Sequence, residues 1–358
     1  MGYDAVVVGS GMFGSSVARS LADRGKKVLV VEKRDHVGGM CHTEKRDGII
    51  FHKYGPHVFH TNDQAIWDWV NRFATFDQFS VRTKAVARGR LWSFPVNLMT
   101  LYQLWGVRTP KEAEEKLRAV RVPLASPANL EDWVLSVYGT EIYEIFYLGY
   151  TQKQWGRQPS KLPAAIAQRL PNRLSFDDNY FTDRFQGVPQ DGYAALFEKM
   201  LSGIEVRTNC DFHSDRKTLE SLGRVIYSGR IDEFFDYRFG ELEFRTCRFE
   251  TERLQGDFQG NPVVNYCDAL VPWTRIIEHK HFSRQYRNGH TLITREIPGE
   301  CGRTGVPLYP INDERNAGLY KQYAELKTDA IIGGRLGSYR YFDMCEVIAQ
   351  AWKIAEHF

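Results

Sequence analysis

The chain has 358 residues, of which 43% are hydrophobic and 25% charged, and its formal net charge is +3. This length predicts two or three domains, and the mild charge, with no long run of like charges, argues against nucleic-acid binding. The six cysteines have no CxxC spacing, which argues against a disulfide framework or a zinc site. Without a signal peptide or a long apolar stretch, we expect a cytoplasmic protein with no membrane span.

The chain begins with a pattern typical of a strand, a helix and a second, parallel strand. Residues 3–8 form an apolar run, residues 15–24 have helical spacing, and residues 27–31 form another apolar run. Two parallel strands need such a crossover connection, so the pattern predicts a βαβ unit.

A GxGxxG sequence, Gly9 to Gly14, forms the first turn of this unit, and Glu32 ends the second strand. Gly9 permits the sharp turn, Gly11 lets the backbone approach a pyrophosphate, and Gly14 lets the helix pack on the strand. The helix N-terminus attracts the anion, and Glu32 is placed to accept hydrogen bonds from ribose hydroxyls. The combination predicts a dinucleotide site.

The residues after Glu32 favour FAD over NAD as the dinucleotide. A double glycine, Gly38-Gly39, follows Glu32 at a spacing that resembles FAD-binding folds of the amine-oxidase and glutathione-reductase type. Such folds also place a C-terminal glycine-rich turn at the flavin, which Gly333-Gly334-Arg335 matches. The predicted cofactor-binding residues are Gly9, Gly11, Phe13, Gly14, Glu32, Lys33, Gly39, Gly334, Arg335 and Asp343.

Further along the chain, helical and strand patterns occupy separate stretches. Residues 61–63 cap a helix, and residues 100–150 have a helical pattern with breaks at Pro110 and Pro123. Alternating residues predict antiparallel strands at 242–247, 263–265 and 290–296. A last strand at 330–332 and a helix from about Asp343 return the chain to the first sheet.

The predicted fold is therefore α/β: a Rossmann-like FAD-binding domain with an inserted helical domain and an antiparallel β-sheet domain. The FAD-binding domain comprises residues 1–70, about 190–235 and 320–358. The helical insertion, with a substrate lid, spans about 95–160. The sheet domain comprises about 72–94, 161–189 and 236–319.

Seven longer stretches resemble the bacterial UDP-galactopyranose mutase family and occur in that family's order. They cover nearly the whole chain and are His52–Asn62, Gly149–Gly156, Asp178–Phe181, Phe235–Gly240, Phe249–Glu252, Thr274–Phe282 and Gly333–Leu336. The resemblance implies an FAD-dependent isomerase that interconverts UDP-galactopyranose and UDP-galactofuranose. N5 of the reduced flavin attacks the anomeric carbon and UDP leaves, so no side-chain nucleophile is needed. It also implies a cellular reductant for the flavin, a homodimer and a role in making cell-surface polysaccharide.

The resemblance assigns roles to individual residues. The diphosphate of the departing UDP is held by three arginines, Arg169, Arg275 and Arg245, and by three tyrosines, Tyr180, Tyr309 and Tyr341. The uracil is held by two aromatic residues, Phe146 and Tyr150. Trp155 lies on the mobile lid. His57 and His60 lie near flavin N5, Asn265 faces the substrate, and Asp343 lies on the flavin side.

The sequence departs from the family near the sugar, where Val81 occupies a position at which an asparagine often faces the sugar. Mutase chemistry on a related nucleotide sugar (an N-acetyl, 6-deoxy or pentose analogue) is therefore a competing hypothesis. Two further hypotheses are an amine-oxidase-type flavin oxidoreductase and a non-catalytic nucleotide-sugar binder. The downstream motifs argue against the first, and the set of basic and aromatic positions argues against the second.

Overall fold

The computed structural model of the protein describes residues 2–283 and 289–358. The chain folds into two compact units, each made of separate segments. The first unit contains the residues up to Phe79, Asp183–Glu243 and Glu314–Phe358. The second unit contains Ser80–Thr182 and the described part of Phe244–Asp313. The predicted helical region and most of the predicted sheet region lie in this second unit, whereas residues 72–79, 183–189, 236–243 and 314–319 of the predicted sheet region lie in the first. The division into a helical and a sheet domain stays a prediction.

The described residues form the following elements, numbered in chain order. The strands are β1 (Ala5–Val8), β2 (Val28–Val31), β3 (Thr43–Arg46), β4 (Ile49–His52), β5 (Phe59–Thr61), β6 (Phe76–Gln78), β7 (Lys84–Ala87), β8 (Arg90–Ser93), β9 (Phe185–Pro189), β10 (Glu205–Arg207), β11 (Arg224–Tyr227), β12 (Phe244–Gln255), β13 (Val263–Tyr266), β14 (Arg275–Glu278), β15 (His290–Glu300), β16 (Tyr309–Pro310) and β17 (Ile331–Ile332). The α-helices are α1 (Met12–Ala22), α2 (Gln64–Asn71), α3 (Leu98–Trp105), α4 (Pro110–Val120), α5 (Leu130–Tyr138), α6 (Thr140–Ile142), α7 (Gly149–Trp155), α8 (Ala165–Gln168), α9 (Gly192–Met200), α10 (Arg216–Leu222), α11 (Ile231–Phe234), α12 (Glu314–Ala324), α13 (Gly334–Gly337) and α14 (Met344–Glu356). A π-helical segment, Tyr143–Leu148, joins α6 to α7.

A five-stranded sheet is the centre of the first unit. Its strand order is β10-β2-β1-β11-β17, and every neighbouring pair is parallel. β1 and β2 are buried along almost their whole length because helices cover both faces of a parallel sheet. The first and last strands of the chain share this sheet, which confirms the predicted Rossmann-like α/β fold.

Two layers of apolar side chains cover the central sheet. On one side, Val17 and Leu21 of α1 pack in a cluster with Ile348 and Ala351 of α14. A second cluster, which includes Tyr227 at the end of β11, packs separately. Because apolar side chains cover both faces of the sheet, the ends of its parallel strands are held in place. In folds of this type, ligands bind at these strand ends.

The first unit also contains helix α2 and a three-stranded sheet with the order β5-β9-β6. The Asp63 side chain caps α2, as the sequence predicts, and accepts hydrogen bonds from the amides of Ala65 at 2.8 Å and Ile66 at 3.2 Å. Amides in the first turn of a helix have no acceptor within the helix, so the Asp63 carboxylate serves as their acceptor.

Replacing Asp63 by alanine is expected to lower the free energy of unfolding of the first unit by about 1 kcal/mol, because two helix amides lose their acceptor. Urea denaturation of the holoenzyme measures this loss. Asp68→Ala is the matched control, since Asp68 is an exposed residue of the same helix and accepts a hydrogen bond from the Gln64 side chain rather than from a helix amide. Equal stability of the two variants would contradict the capping role.

The second unit contains a seven-stranded sheet with the order β16-β12-β15-β14-β13-β7-β8. The pairs are antiparallel, as the sequence predicts, except for β13 and β7, which run parallel. β12 begins at Phe244 and continues to Gln255, whereas the sequence predicts a strand at 242–247. Eleven cross-strand pairs with β15 stabilise β12 over this length. The alternation of local residues does not reveal such long-range pairing, so the sequence predicts a shorter strand.

Helices α3 to α7 confirm the predicted helical content of residues 100–150. Pro110 does not break a helix but begins one, because the first helical position needs no backbone N–H. Tyr138, Ile142 and Phe146 belong to one apolar cluster with Trp92 and Phe94 from the β8 region.

Of the helices in residues 2–283 and 289–358, none is both long and apolar enough for a membrane crossing.

Candidate active site

The glycine turn between β1 and α1 has the geometry of a tight anion-binding loop. Gly9 has a φ of +94°, which favours glycine, and a Cβ on Gly14 would lie 1.9 Å from the Gly9 carbonyl oxygen. A Cβ on Gly11 would come no closer than 3.8 Å to another heavy atom, the Cα of Gly39. Gly14 is therefore required for packing, whereas the space in front of Gly11 is open.

The N-terminus of α1 also suits an anion. Gly11 is the N-cap residue, no side chain caps the helix, and its first turn contains no acidic residue. The free amides and the positive end of the helix dipole are thus available to a phosphate group.

Glu32 lies at the end of β2 and is only 2% exposed. Its Oε2 accepts hydrogen bonds from the Ser10 amide at 2.9 Å and the Ser10 hydroxyl at 2.8 Å. Its Oε1 accepts from the Arg34 amide at 3.0 Å. Ser10 and Arg34 were not predicted, although Ser10 occupies a variable position of the glycine motif, where a buried hydroxyl could have been suspected.

A second glycine turn packs on the first through Phe13. A Cβ on Gly333 or Gly334 would meet the Phe13 ring at 2.5 or 3.1 Å, so Phe13 is a packing residue of the turn. Arg335 donates a hydrogen bond to the Phe342 carbonyl oxygen at 2.6 Å, and its guanidinium lies 4.2 Å from the centre of the Tyr341 ring.

The remaining predicted residues of the first unit differ in exposure and contacts. Lys33 is exposed beside Glu32, and Gly39 has a φ of +54° and faces Gly11. Asp343 is the N-cap of α14 and accepts a capping-box hydrogen bond, so helix capping is one of its functions.

The two predicted histidines of the first unit are held by different partners. His57 Nδ1 lies 2.9 Å from the Gly55 carbonyl oxygen. His60 Nδ1 lies 2.8 Å from Asp183 Oδ2, and its Nε2 lies 4.0 Å from Asp343 Oδ2. Asp183 was missed because it is 123 positions away in the sequence, and only the pairing of β5 with β9 brings it close.

A cluster of polar side chains in the second unit surrounds Arg275, the first residue of β14. Its Nε donates to Oε2 of Glu296, which is 1% exposed and directly opposite on β15. Its Nη2 lies 3.4 Å from the Tyr309 hydroxyl. Burial alone would lower the pKa of Arg275, but the Glu296 carboxylate raises it well above its ordinary value. The Arg275 guanidinium is thus a cation that the Glu296 carboxylate holds in place.

Several predicted substrate residues lie around this cation. Asn265 pairs with Arg275 across β13 and β14, and its side chain is 7% exposed. Burial raises the pKa of Tyr150, which lies in electrostatic contact with Arg275 and Tyr180, so its hydroxyl stays neutral. The Trp155 ring contacts the Tyr309 ring edge-on, with centroids 6.1 Å apart.

Arg245, predicted to face the diphosphate, instead directs its guanidinium to the backbone of α7. Its Nε donates to the Gln154 carbonyl oxygen at 3.0 Å and its Nη2 to the Lys153 carbonyl oxygen at 3.1 Å. The residue is 6% exposed, and burial lowers its pKa. A diphosphate contact by Arg245 stays a prediction.

Two other predicted residues, Phe146 and Arg169, differ in exposure. Phe146 is 2% exposed, and its ring packs against Trp92 and Phe94, so it belongs to the apolar core. Arg169 is exposed at the C-terminal end of α8. Their predicted contacts with uracil and diphosphate stay predictions.

Comparison with known proteins connects this arrangement to a family. A family model described as UDP-galactopyranose mutase matches residues 145–341, and one described as an NAD(P)-binding Rossmann-like domain matches residues 7–73. The first match covers more than half of the chain, including Arg275, Glu296 and Tyr309. The chain belongs to the UDP-galactopyranose mutase family.

Individual members of this mutase family match the chain over nearly its whole length. A probable UDP-galactopyranose mutase of Klebsiella pneumoniae is 38% identical, over 99% of this chain and 94% of its own. A dTDP-fucopyranose mutase of Escherichia coli is 37% identical, over 98% of this chain and 97% of its own. A solved structure of reduced UDP-galactopyranose mutase has the same fold, with a TM-score of 0.76 at 15% identity over 99% of this chain and 95% of its own.

Proposed function

We propose that this mutase interconverts UDP-galactopyranose and UDP-galactofuranose and that it requires reduced FAD. The observation that carries the proposal is the Arg275 guanidinium, which Glu296 holds in place beside the Tyr309 hydroxyl. A fixed cation of this kind suits a diphosphate that must leave the sugar, remain bound and return.

The residues of the first unit fit FAD as the cofactor. The open space before Gly11 suits a pyrophosphate, the uncapped α1 N-terminus suits its charge, and the Glu32 carboxylate suits ribose hydroxyls. When bound, reduced flavin supplies N5 as the nucleophile for the anomeric carbon of the sugar. The predicted positions of His57 and His60 near the flavin are part of the same proposal.

The predicted substrate-binding residues bind and orient the nucleotide sugar. Arg275 holds the diphosphate through charge-assisted hydrogen bonds, with Arg169 as a second cation and Tyr180, Tyr309 and Tyr341 as hydroxyl donors. Tyr150 presents a neutral aromatic ring to the flat base. We keep the uracil contact of Phe146 and the substrate contact of Asn265 in the proposal as the resemblance implies them.

A specific observation favours a second candidate, the same mutase reaction on a dTDP-linked 6-deoxy sugar. The relative named dTDP-fucopyranose mutase is as similar to the chain as the probable UDP-galactopyranose mutase, at 37% against 38% identity. The Val81 side chain, where the family often has asparagine, is apolar and 8% exposed. An apolar side chain offers no hydrogen bond to a sugar hydroxyl, which weakens selection for it.

A substrate panel distinguishes these candidates. The dithionite-reduced holoenzyme is incubated with UDP-galactopyranose and with dTDP-linked 6-deoxygalactose, and furanose products are separated by anion-exchange chromatography. We expect a kcat/KM at least about tenfold higher for the UDP sugar. The reverse preference would select the second candidate, and conversion of neither sugar would refute both.

We further infer a homodimer, a separate cellular reductant for the flavin and a cytoplasmic location, as in the family that the sequence resembles. Light scattering after size-exclusion chromatography gives the oligomeric state. A mass near 41.4 kDa, that of one chain, would refute the dimer.

A further inference from the structure

The short helix α7 is held by two cationic side chains that the proposed reaction does not use. Lys153 Nζ donates hydrogen bonds to the carbonyl oxygens of Tyr266 at 2.7 Å, Asp268 at 2.9 Å and Trp273 at 3.0 Å. Tyr266 is the last residue of β13, and Asp268 and Trp273 belong to the connection between β13 and β14. One ammonium group therefore ties α7 to the segment that leads into Arg275.

Arg245 holds the C-terminal end of the same helix. Its guanidinium donates to the carbonyl oxygens of Lys153 and Gln154, which have no partner within the helix. Gly156 follows with a φ of +62°, and a Cβ there would lie 2.8 Å from Arg245 Nη1. The arginine is thus fitted closely to the negative end of the helix.

The N-terminal end of α7 meets the same connection. A Cβ on Gly149 would lie 2.4 Å from the Cys267 carbonyl oxygen and 2.9 Å from the Ala269 amide nitrogen. Only glycine allows this approach, and Lys153 contacts the connection one helical turn later. Close packing and hydrogen bonds therefore fix the helix at both ends.

The fixed helix carries two of the residues assigned to substrate binding. Tyr150 follows Gly149, and Trp155 is the last residue of α7 and contacts Tyr309. Tyr309 in turn pairs with Arg245 across β16 and β12. Lys153 and Arg245 thereby link the aromatic side chains of α7 with the strands that carry Arg275 and Tyr309.

We propose that Lys153 and Arg245 are positioning residues that hold Tyr150 and Trp155 in a preformed nucleotide-binding surface beside Arg275. In this role each cation acts through its hydrogen bonds to backbone carbonyl oxygens. Trp155 then belongs to this preformed surface. This inference rests on the proposed function, since it assigns nucleotide binding to the surface.

Lys153→Met tests the proposal in the FAD-loaded protein. Met keeps an unbranched apolar side chain one atom shorter than that of lysine, but it leaves three backbone carbonyl oxygens without their donor. In hydrogen–deuterium exchange, we expect faster exchange in residues 149–156 and 266–274 and unchanged exchange in the first unit. We also expect the Kd for UDP to rise at least about tenfold. Unchanged exchange or unchanged UDP affinity would refute the proposal.

A double-mutant cycle separates positioning from general loss of structure. If Lys153 acts on UDP binding through the position of Tyr150, Lys153→Met costs much less UDP affinity in a Tyr150→Ala protein than in the wild type. Additive losses would overturn the positioning role. Lys111→Met, at an exposed lysine of α4 in the same unit, is the matched control and is expected to change neither measurement.

A second variant covers the case in which Lys153→Met does not fold. Arg245→Lys retains the charge but loses the planar group that reaches two carbonyl oxygens at once. It is expected to accelerate exchange at residues 152–156 and to weaken UDP binding, and no change in either would refute the proposal. Because exchange and UDP affinity need no turnover, a protein that binds UDP without isomerising sugars would refute the proposed function and leave this test intact.

Discussion

Arg275→Ala is expected to lower turnover at least about 100-fold, because it removes a fixed cation that balances the charge of the departing diphosphate. Because of Glu296, we expect a larger loss of turnover than the loss of the Arg275–diphosphate contact alone would cause. Its buried carboxylate would remain without its cation in the variant and would repel the diphosphate. FAD should stay bound, since the predicted FAD-binding residues belong to the first unit.

Steady-state kinetics of the reduced enzyme, together with the flavin absorbance of the purified protein, measure both parts of this expectation. Arg295→Ala is the control, because Arg295 lies on neighbouring β15 but pairs with Glu252 at 2.9 Å. We expect its turnover to stay within about threefold of the wild type, as for other surface ion pairs. Near-normal turnover of Arg275→Ala would remove Arg275 from the mechanism.

Gly11→Val and Gly14→Ala are expected to abolish FAD binding for different reasons. A side chain on Gly11 enters open space where the pyrophosphate is proposed to lie, so the apoprotein should fold normally and fail to bind FAD. A Cβ on Gly14 would overlap the Gly9 carbonyl oxygen, so the first unit itself should lose about 3 kcal/mol or more.

Thermal unfolding of the apoproteins and titration with FAD distinguish the two variants. Gly318→Ala is the control, because its Cβ would have no heavy atom within 4 Å, and alanine is the better helix former at this exposed position of α12. We expect it to bind FAD and to unfold at or above the wild-type temperature. Normal FAD affinity of Gly11→Val would contradict a pyrophosphate site at this turn.

The fold was predictable where local patterns are strong. The apolar runs of β1 and β2, the glycine turn between them and the Asp63 cap each depend on neighbouring residues alone. The parallel pairing of β13 with β7 and the length of β12 were not predictable, because they depend on strands far away in the sequence. Propensity in a strand is decided largely by such partners.

The candidate site shows the same division. Motif resemblance drew attention to Arg275, but Glu296 became its partner only through the register of β14 and β15. Lys153 lies inside a motif of the mutase family, yet its three acceptors are backbone carbonyl oxygens that no side-chain pattern reveals. The resemblance assigns Arg245 to the diphosphate, which stays a prediction, but it does not reveal that the guanidinium donates to backbone carbonyl oxygens of α7.

The most direct test of the account compares the oxidised and the reduced holoenzyme with UDP-galactofuranose, followed by NMR of the sugar and by flavin absorbance. We expect conversion to UDP-galactopyranose by the reduced enzyme only, with no oxidation of the sugar and no net change in the flavin spectrum. A product at a different oxidation state, or equal conversion by the oxidised enzyme, would contradict it.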